Sequence, residues 1–270
     1  MTVELGVTLF RAAFVVYLAA TACYVAYLAS ENKGIGKAAT YILVAGWILH
    51  TASLVVRTYA AQRPPFLNLY EYTLSVTWGA MLVYMVLERV TKSKGFGAFA
   101  VPLITIFVLL AILLLRTDVN PTLPALRGAW RVPHILTAVF AYAAFAIAFG
   151  VSVMYLIQEW INTTRMPNLK TLDQVTYRTI AFGFMIQTAL IITGAIWAQI
   201  AWGRYWGWDP KETWSLVTWL IYAAYLHTRV TMGWRGHRSA IMAAIGFIAT
   251  IFTLIGVSYL SIFSGLHSYA

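Results

Sequence analysis

The sequence predicts an all-α, polytopic integral membrane protein with about eight transmembrane helices and short loops. Of its 270 residues, 61% are hydrophobic and only 10% are charged, whereas a soluble domain carries about 25% charged residues. The charged residues are unevenly placed and leave apolar runs of the length that crosses a bilayer, about 20 residues. The predicted spans are 6–29, 38–58, 70–89, 98–115, 134–158, 179–200, 213–229 and 240–263. Because the connections are short, we expect residues 1–270 to form a single membrane domain.

The first span could be mistaken for a secretory signal peptide. A signal peptide carries basic residues before its apolar stretch, but here Glu4 comes first, and Lys33 and Lys37 follow the apolar run. We therefore expect a retained helix with its N-terminus outside. This span also holds Cys23, the only cysteine of the chain. A single cysteine excludes an intrachain disulfide and a CxxC redox motif, and Cys23 is interpreted as a small buried apolar residue.

Two of the later spans differ from the others in composition. The third, 70–89, and the seventh, 213–229, hold charged or aromatic residues near their ends. The fifth span begins at His134, and the seventh follows an unusually aromatic connection. The predicted helices therefore place several chemically distinctive residues at helix ends rather than in the middle of the membrane.

The lysines and arginines indicate the orientation of the chain, because cytoplasmic loops collect both residue types. One set of helix ends and loops holds eleven of them: Lys33, Lys37, Arg89, Lys92, Lys94, Arg165, Lys170, Arg178, Arg229, Arg235 and Arg238. The opposite set holds seven: Arg57, Arg63, Arg116, Arg127, Arg131, Arg204 and Lys211. The first set is therefore predicted to be cytoplasmic, and the C-terminus to be extracytoplasmic. The net charge of +10 needs no nucleic acid to explain it.

The seven outer cations have two interpretations, which the sequence leaves open. Most of them lie beside prolines, tryptophans or histidines. They can anchor the helices at the membrane interface, or they can form an outward site for an anionic ligand.

The connection "AWGRYWGWDPKET", residues 201–213, lies on the same predicted outer side. Four tryptophans are concentrated in and just after it: Trp202, Trp206, Trp208 and Trp214. Interfacial belts of aromatic residues are common, but they account less well for tryptophans that accompany a "WDPKET" sequence. Gly203 and Gly207 would let this loop fold closely over a planar ligand.

The end of this connection predicts the start of a helix. Asp209 suits the N-cap, Pro210 the first helical position and Glu212 the third, which together form a capping box. Asp209 is therefore expected to be structural, a role that is compatible with ligand binding by the tryptophans before it.

Two of the five histidines fall on the predicted outer side, next to the tryptophans. His134 opens the fifth span, and His267 follows the eighth. Two imidazoles, an aromatic platform and arginines are the components of a heme site, in which the imidazoles ligate iron and arginines pair with the propionates. Capping and interface roles compete with this interpretation.

The other three histidines are expected to lie elsewhere. His227 lies fifteen residues after Glu212, which places it about 22 Å deeper along a helix and towards the cytoplasmic side. There it could be a hydrogen-bonding core residue or a ligand. His50 lies within the second span, where a structural or pathway role is expected, and His237 lies in a basic loop as a solvated residue.

The segment "WGRYWGWDPKETWSLVTWLIYAAYLHTR" resembles the tryptophan-rich WWD signature of heme-handling proteins in cytochrome c biogenesis. Within that superfamily, the chain is most similar to the CcsA family, also called ResC, of the system II synthase. The resemblance includes "RPPFLNLYEYTLSVTWG" at 63–79, "LPALRGAWRVPHILTAVFAYAAF" at 123–145 and the ending "SGLHSYA". It covers most of the chain.

The resemblance implies roles for particular residues. His134 and His267 would be the two external axial ligands of heme b. His227 would contribute to an inner heme site together with a histidine of the partner subunit. The residues that the resemblance places around the outer heme are Trp202, Gly203, Trp206, Trp208 and Asp209, and we add Arg131, Arg204 and Trp214 as candidates beside them.

The resemblance also implies a reaction and partners. The vinyl groups of reduced heme would be joined to the cysteine thiols of an apocytochrome c CxxCH motif, in a bacterial inner or thylakoid-type membrane. The chain would act as a subunit of a holocytochrome c synthase with CcsB (ResB), and it would bind no nucleic acid. The sequence itself offers no obvious general acid or base beyond Glu71, Asp118, Asp209 and Glu212.

Two alternative functions remain open. One is pure heme export, with attachment carried out elsewhere. The other is a respiratory b-type cytochrome, which would need facing histidine pairs at matched depth; only His50 and His227 lie within spans.

Overall fold

The computed structural model describes residues 2–119 and 128–257, and these residues form eight α-helices and no strand. The helices are α1 (Thr2–Ser30), α2 (Lys33–Ala61), α3 (Leu69–Thr91), α4 (Gly97–Leu114), α5 (Arg131–Ile161), α6 (Leu169–Trp202), α7 (Pro210–Thr231) and α8 (His237–Ile251). A π-helical segment, Phe252–Gly256, continues α8. The predicted all-α fold and the order of its helices are confirmed.

Six of these helices are long and apolar enough to cross a membrane: α1, α2, α4, α5, α6, and α8 with its π-helical segment. The exceptions, α3 and α7, have 23 and 22 residues but are more polar, as the sequence indicated. The chain is therefore a multi-pass membrane protein, and membrane crossing by α3 and α7 stays a prediction.

Polar caps explain why some helices extend beyond the predicted apolar runs. The prediction started the sixth helix at residue 179, but α6 begins at Leu169 because the Asn168 side chain accepts a hydrogen bond from Thr171 N at 2.8 Å. Asn32 caps α2 in the same way, through Gly34 N at 2.8 Å. Capping by Asn satisfies amide groups that would otherwise lack a partner at a helix start.

The core is organised around α5, which is the most buried of the candidate membrane-spanning helices. One side of α5, including Ile147 and Met154, belongs to a cluster built mainly with α1 to α4. Another side, including Tyr142 and Phe145, packs with α6, α7 and α8. Apolar contact on both sides fixes the axial position of α5 and hence of the residues at its start.

Candidate functional site

One cavity lies at the end of the bundle that carries the tryptophan-rich connection. The starts of α3, α5 and α7, the end of α6 and the π-helical segment converge around it. It contains about 1220 Å³ of empty space, including its mouth, which is open to solvent. We call it the tryptophan cavity, after the wall residues Trp197, Trp202 and Trp206.

His134 is held in the wall of this cavity from two sides. Its ring lies 5.5 Å from that of Trp197, measured between centroids, and its Nδ1 lies 3.2 Å from the carbonyl oxygen of Leu190. Because a carbonyl oxygen only accepts, Nδ1 carries the proton and the lone pair lies on Nε2. A backbone carbonyl that fixes the tautomer in this way is the usual arrangement behind a metal-ligating histidine.

Gly194 leaves the space that the imidazole ring of His134 occupies, and we call this space the seat of His134. A Cβ atom built on Gly194 would lie 2.8 Å from Cε1 and 3.0 Å from Nδ1 of His134. The ring therefore occupies the space that any other residue would fill at this position of α6.

The tryptophan-rich connection contributes only part of its aromatic surface to the cavity. Trp202 ends α6, and Gly203 caps that helix with φ of +73°. Trp206 lines the cavity, and its indole Nε1 is buried with no hydrogen-bond partner among the described residues. Trp208 is 68% exposed and meets Trp206 edge to face, with ring centroids 5.8 Å apart.

The capping box predicted at the start of α7 is present. The Asp209 side chain accepts from Lys211 N at 2.9 Å, and Glu212 Oε2 accepts from Asp209 N at 3.2 Å. Glu212 also accepts from Gly207 N at 2.8 Å. The prediction of a structural role for Asp209 is confirmed, and both carboxylates serve the backbone of this turn.

The described wall of the cavity holds two cations and one acid, Glu212, which binds backbone amides. Arg131 and Lys211 both line the cavity. The Arg131 residue is only 7% exposed. Burial lowers the pKa of the Lys211 ammonium group, and the nearby Asp209 carboxylate opposes this effect. A ligand anion in the cavity would stabilise both cations, since each loses hydration on burial.

A buried ion cluster shapes the α3 side of the cavity. Glu71 is fully buried, and it binds Arg57 Nε at 3.1 Å and Arg63 Nη1 at 2.7 Å. It also accepts from Leu67 N at 2.8 Å, which fixes the segment that supplies Phe66 and Leu67 to the wall. Arg57 and Arg63 were expected either to anchor helices at the membrane interface or to bind an anionic ligand. Instead, both form ion pairs with Glu71.

The structure therefore brings together four of the predicted site residues, Arg131, His134, Trp202 and Trp206, in one cavity wall. Five others border that wall without lining it among the described residues: Gly203, Arg204, Trp208, Asp209 and Trp214. Trp214 packs against Phe252 of the π-helical segment, with ring centroids 4.2 Å apart. His267 and Arg127 lie outside the described residues.

The remaining histidines lie away from the cavity. His50 is fully buried, with its Nδ1 3.2 Å from the Tyr17 hydroxyl and its ring 4.9 Å from that of Phe10. His227 is exposed near the end of α7, where its Nδ1 lies 3.2 Å from the Thr231 hydroxyl. The two do not form the facing pair that a b-type cytochrome would need.

Sequence reasoning missed Gly194 and Trp197, which position His134. Both lie on one face of α6 together with Leu190, at helical spacings of four and three residues. That spacing could have drawn attention to them, because residues three or four apart share a helix face.

The fold and the cavity define a multi-pass helical membrane protein with an aromatic cavity at one end of its bundle. The family model described as "Cytochrome C assembly protein" matches residues 66–267. "Cytochrome c biogenesis protein CcsA" of Pyropia yezoensis is 36% identical, covering 87% of this chain and 88% of that protein. CcsA of Prochlorococcus marinus (strain NATL2A) is also 36% identical, with coverages of 86% and 84%. The chain belongs to the CcsA family of cytochrome c biogenesis proteins.

A solved structure supports the fold. "Cytochrome c Heme Lyase CcmF" superposes with a TM-score of 0.73 over 94% of this chain, at 14% sequence identity. This chain spans 46% of the length of that CcmF chain. The two proteins therefore share a fold over most of this chain.

Proposed function

We propose that this chain binds heme b in the tryptophan cavity and presents it for covalent attachment to apocytochrome c. The observation that carries the proposal is the seat of His134, where the Leu190 carbonyl fixes the proton on Nδ1 and leaves Nε2 as the basic nitrogen. An imidazole in that state is a ligand for heme iron. His267 supplies the second axial ligand in this proposal, as the resemblance to the family implies.

The wall of the cavity matches the rest of a porphyrin. Trp202 and Trp206 offer flat apolar surface, and the buried Trp206 Nε1 is a donor suited to an acceptor on the ligand. Arg131 and Lys211 line the cavity, and their positive charges would pair with the two heme propionates. Gly203, Arg204, Trp208, Asp209 and Trp214 support the site from its border.

The proposed reaction adds each cysteine thiol of a CxxCH motif across a heme vinyl group. The S–H bond breaks, a C–S bond forms at one vinyl carbon, and the proton passes to the other carbon, so no electrons are gained or lost overall. Such a reaction depends on positioning of the two partners. Glu71, Asp209 and Glu212 already bind cations or backbone amides, so the chain's proposed part is to hold and orient heme.

The proposal includes the partner CcsB and an inner heme site. His227 is exposed on α7, and an ionisable side chain on such a surface is best explained by a partner, because facing lipid is costly. We propose that a histidine of CcsB completes the inner site there. The WWD segment and the C-terminus would be extracytoplasmic, in a bacterial inner or thylakoid-type membrane.

The test is the replacement of His134 by alanine in the chain produced together with CcsB and an apocytochrome c. We expect His134→Ala to lower the heme retained and the yield of covalent cytochrome c, and added imidazole to restore part of both. His267→Ala should behave in the same way. His237→Ala is the matched control, because His237 lies at the other end of the bundle, bound to Glu159.

Wild-type heme content and an unchanged absorption spectrum in His134→Ala would contradict the proposal. The yield of covalent cytochrome c separates attachment from export. Co-purification with CcsB would favour the synthase. If the chain does not co-purify with CcsB and attachment is nevertheless equally efficient, the heme-exporter alternative would be favoured.

A further inference from the structure

A second cleft lies at the opposite end of the bundle, between the end of α5, the start of α6, the end of α7 and the loop before α8. We call it the arginine cleft. Its charged wall residues are Lys170, Asp173, Arg178, Arg229 and Arg235. Together with its open mouth, it contains about 1210 Å³ of empty space. Tyr155 and Tyr177 line it beside the charges.

The acid of this cleft is already neutralised. Asp173 is the only acid among the described residues of the wall, and both of its oxygens bind the Arg229 guanidinium, at 2.8 Å and 2.6 Å. Four cations and one acid leave a net charge of +3. The excess lies on Lys170, Arg178 and Arg235, whose exposed side chains border the open space.

The cleft has a fixed frame beneath those exposed cations. Asp173 accepts a further hydrogen bond from Gly236 N at 2.9 Å, and the Arg229 guanidinium lies 4.6 Å from the Tyr177 ring centroid. Gly236, with φ of +69°, lets the loop approach α5 closely: an added Cβ would lie 2.7 Å from the Tyr155 hydroxyl. The arrangement is therefore built by four chain segments rather than by one flexible loop.

The depth of the cleft corresponds to a lipid headgroup. It lies where α6 begins and α7 ends, and α5 ends nearby with Trp160, which is 86% exposed. An exposed tryptophan at the end of a membrane helix marks the interface between hydrocarbon and water. Glu159, its neighbour in the chain, is bound to His237 Nδ1 at 2.6 Å and so adds little repulsion towards an anion.

We propose that the arginine cleft binds the phosphate of an acidic phospholipid headgroup. Basic pockets between membrane helices recognise such headgroups through several cations at the depth of the phosphate. Arg178 and Arg235 supply the charge-assisted hydrogen bonds, Lys170 adds a third positive charge, and Arg229 stays with Asp173. This site is independent of heme binding at the tryptophan cavity.

The test uses the purified chain, titrated with phosphatidylglycerol or phosphatidylcholine and followed by native mass spectrometry. We expect phosphatidylglycerol to bind preferentially, and the double variant Arg178→Gln/Arg235→Gln to weaken it about thirty-fold, since each interfacial cation contributes about a five-fold factor. The matched control is Arg89→Gln/Lys92→Gln. It removes two exposed cations from the same end of the bundle but outside the cleft.

The outcomes separate a built site from general charge attraction. Equal weakening in the two double variants, or equal binding of both lipids, would overturn the proposal. A heme titration provides the second arm: a cleft variant that loses heme but keeps phosphatidylglycerol would assign the cleft to a heme carboxylate and overturn the lipid assignment. His134→Ala should leave lipid binding unchanged, so the lipid result does not depend on the outer heme site.

Discussion

At the scale of single residues, the position of His134 depends on a neighbour that has no side chain. The ring fills the space over Gly194, contacts Trp197 and donates to the Leu190 carbonyl, so three residues of α6 orient one residue of α5. Ring orientation matters because a ligating nitrogen must point at the iron. Gly194 is therefore a positioning residue for the proposed ligand.

Replacing Gly194 by alanine tests this dependence. The new methyl group would lie 2.8 Å from His134 Cε1, so we expect the ring to be displaced and heme retention to fall several-fold. The helix itself should not suffer, because alanine in a helix is about 1 kcal/mol more favourable than glycine. Heme content and the thermal unfolding midpoint are the two measurements.

Gly6→Ala in α1 is the control, because the nearest atom to its added Cβ is 3.6 Å away. Wild-type heme content in Gly194→Ala would show that His134 does not need this seat. Loss of heme together with a lowered unfolding midpoint would point to general destabilisation instead.

At the scale of elements, the start of α7 links the aromatic connection to the helix that ends near His227. Asp209 and Glu212 satisfy the amides of Lys211, Asp209 and Gly207, so the turn before α7 is held by its own backbone contacts. Trp206 is thereby fixed at the cavity wall. The cap is a structural requirement for the site, and of its two carboxylates only that of Glu212 lines the tryptophan cavity.

The cap predicts different outcomes for two replacements of Asp209. Asparagine caps helices about as well as aspartate, whereas alanine costs about 1 kcal/mol. We expect Asp209→Asn to keep both the unfolding midpoint and the heme content, and Asp209→Ala to lower the midpoint. Heme loss in Asp209→Asn at an unchanged midpoint would mean that the carboxylate itself takes part in binding.

The elements also indicate how far sequence reasoning reaches. Apolar length located all eight helices, and the "DPKE" pattern predicted the cap of α7, because both depend on local physics. The ten-residue extension of α6 was missed because the prediction followed continuous apolar runs, whereas residues 169–178 are amphipathic, with Leu172 and Val175 buried among polar residues. The pairing of Arg57 and Arg63 with Glu71 was missed because it requires knowing how α2 and α3 pack.

At the scale of the whole molecule, two sites of different chemistry lie at opposite ends of one bundle. The tryptophan cavity is aromatic and holds His134, whereas the arginine cleft is open and carries an excess of cations. The charge bias of the sequence predicts that the cleft lies on the cytoplasmic side and the cavity outside. The two sites would then face different compartments.

Labelling of introduced cysteines tests this orientation. With Cys23 replaced by serine, Arg204→Cys should react with a membrane-impermeant maleimide in intact cells, because it lies in the exposed connection between α6 and α7. Arg235→Cys, in the exposed loop before α8, should react only after the membrane is permeabilised. The reverse pattern would place the proposed heme site in the cytoplasm and overturn its assigned role.

The most direct test of heme ligation by His134 is the low-temperature electron paramagnetic resonance spectrum of the ferric, heme-loaded complex with CcsB. We predict a low-spin signal from a bis-imidazole heme in the wild type. In His134→Ala, the outer heme that remains should become high-spin and return to low-spin when imidazole is added. A low-spin signal of unchanged shape and intensity in His134→Ala would contradict ligation of heme iron by His134.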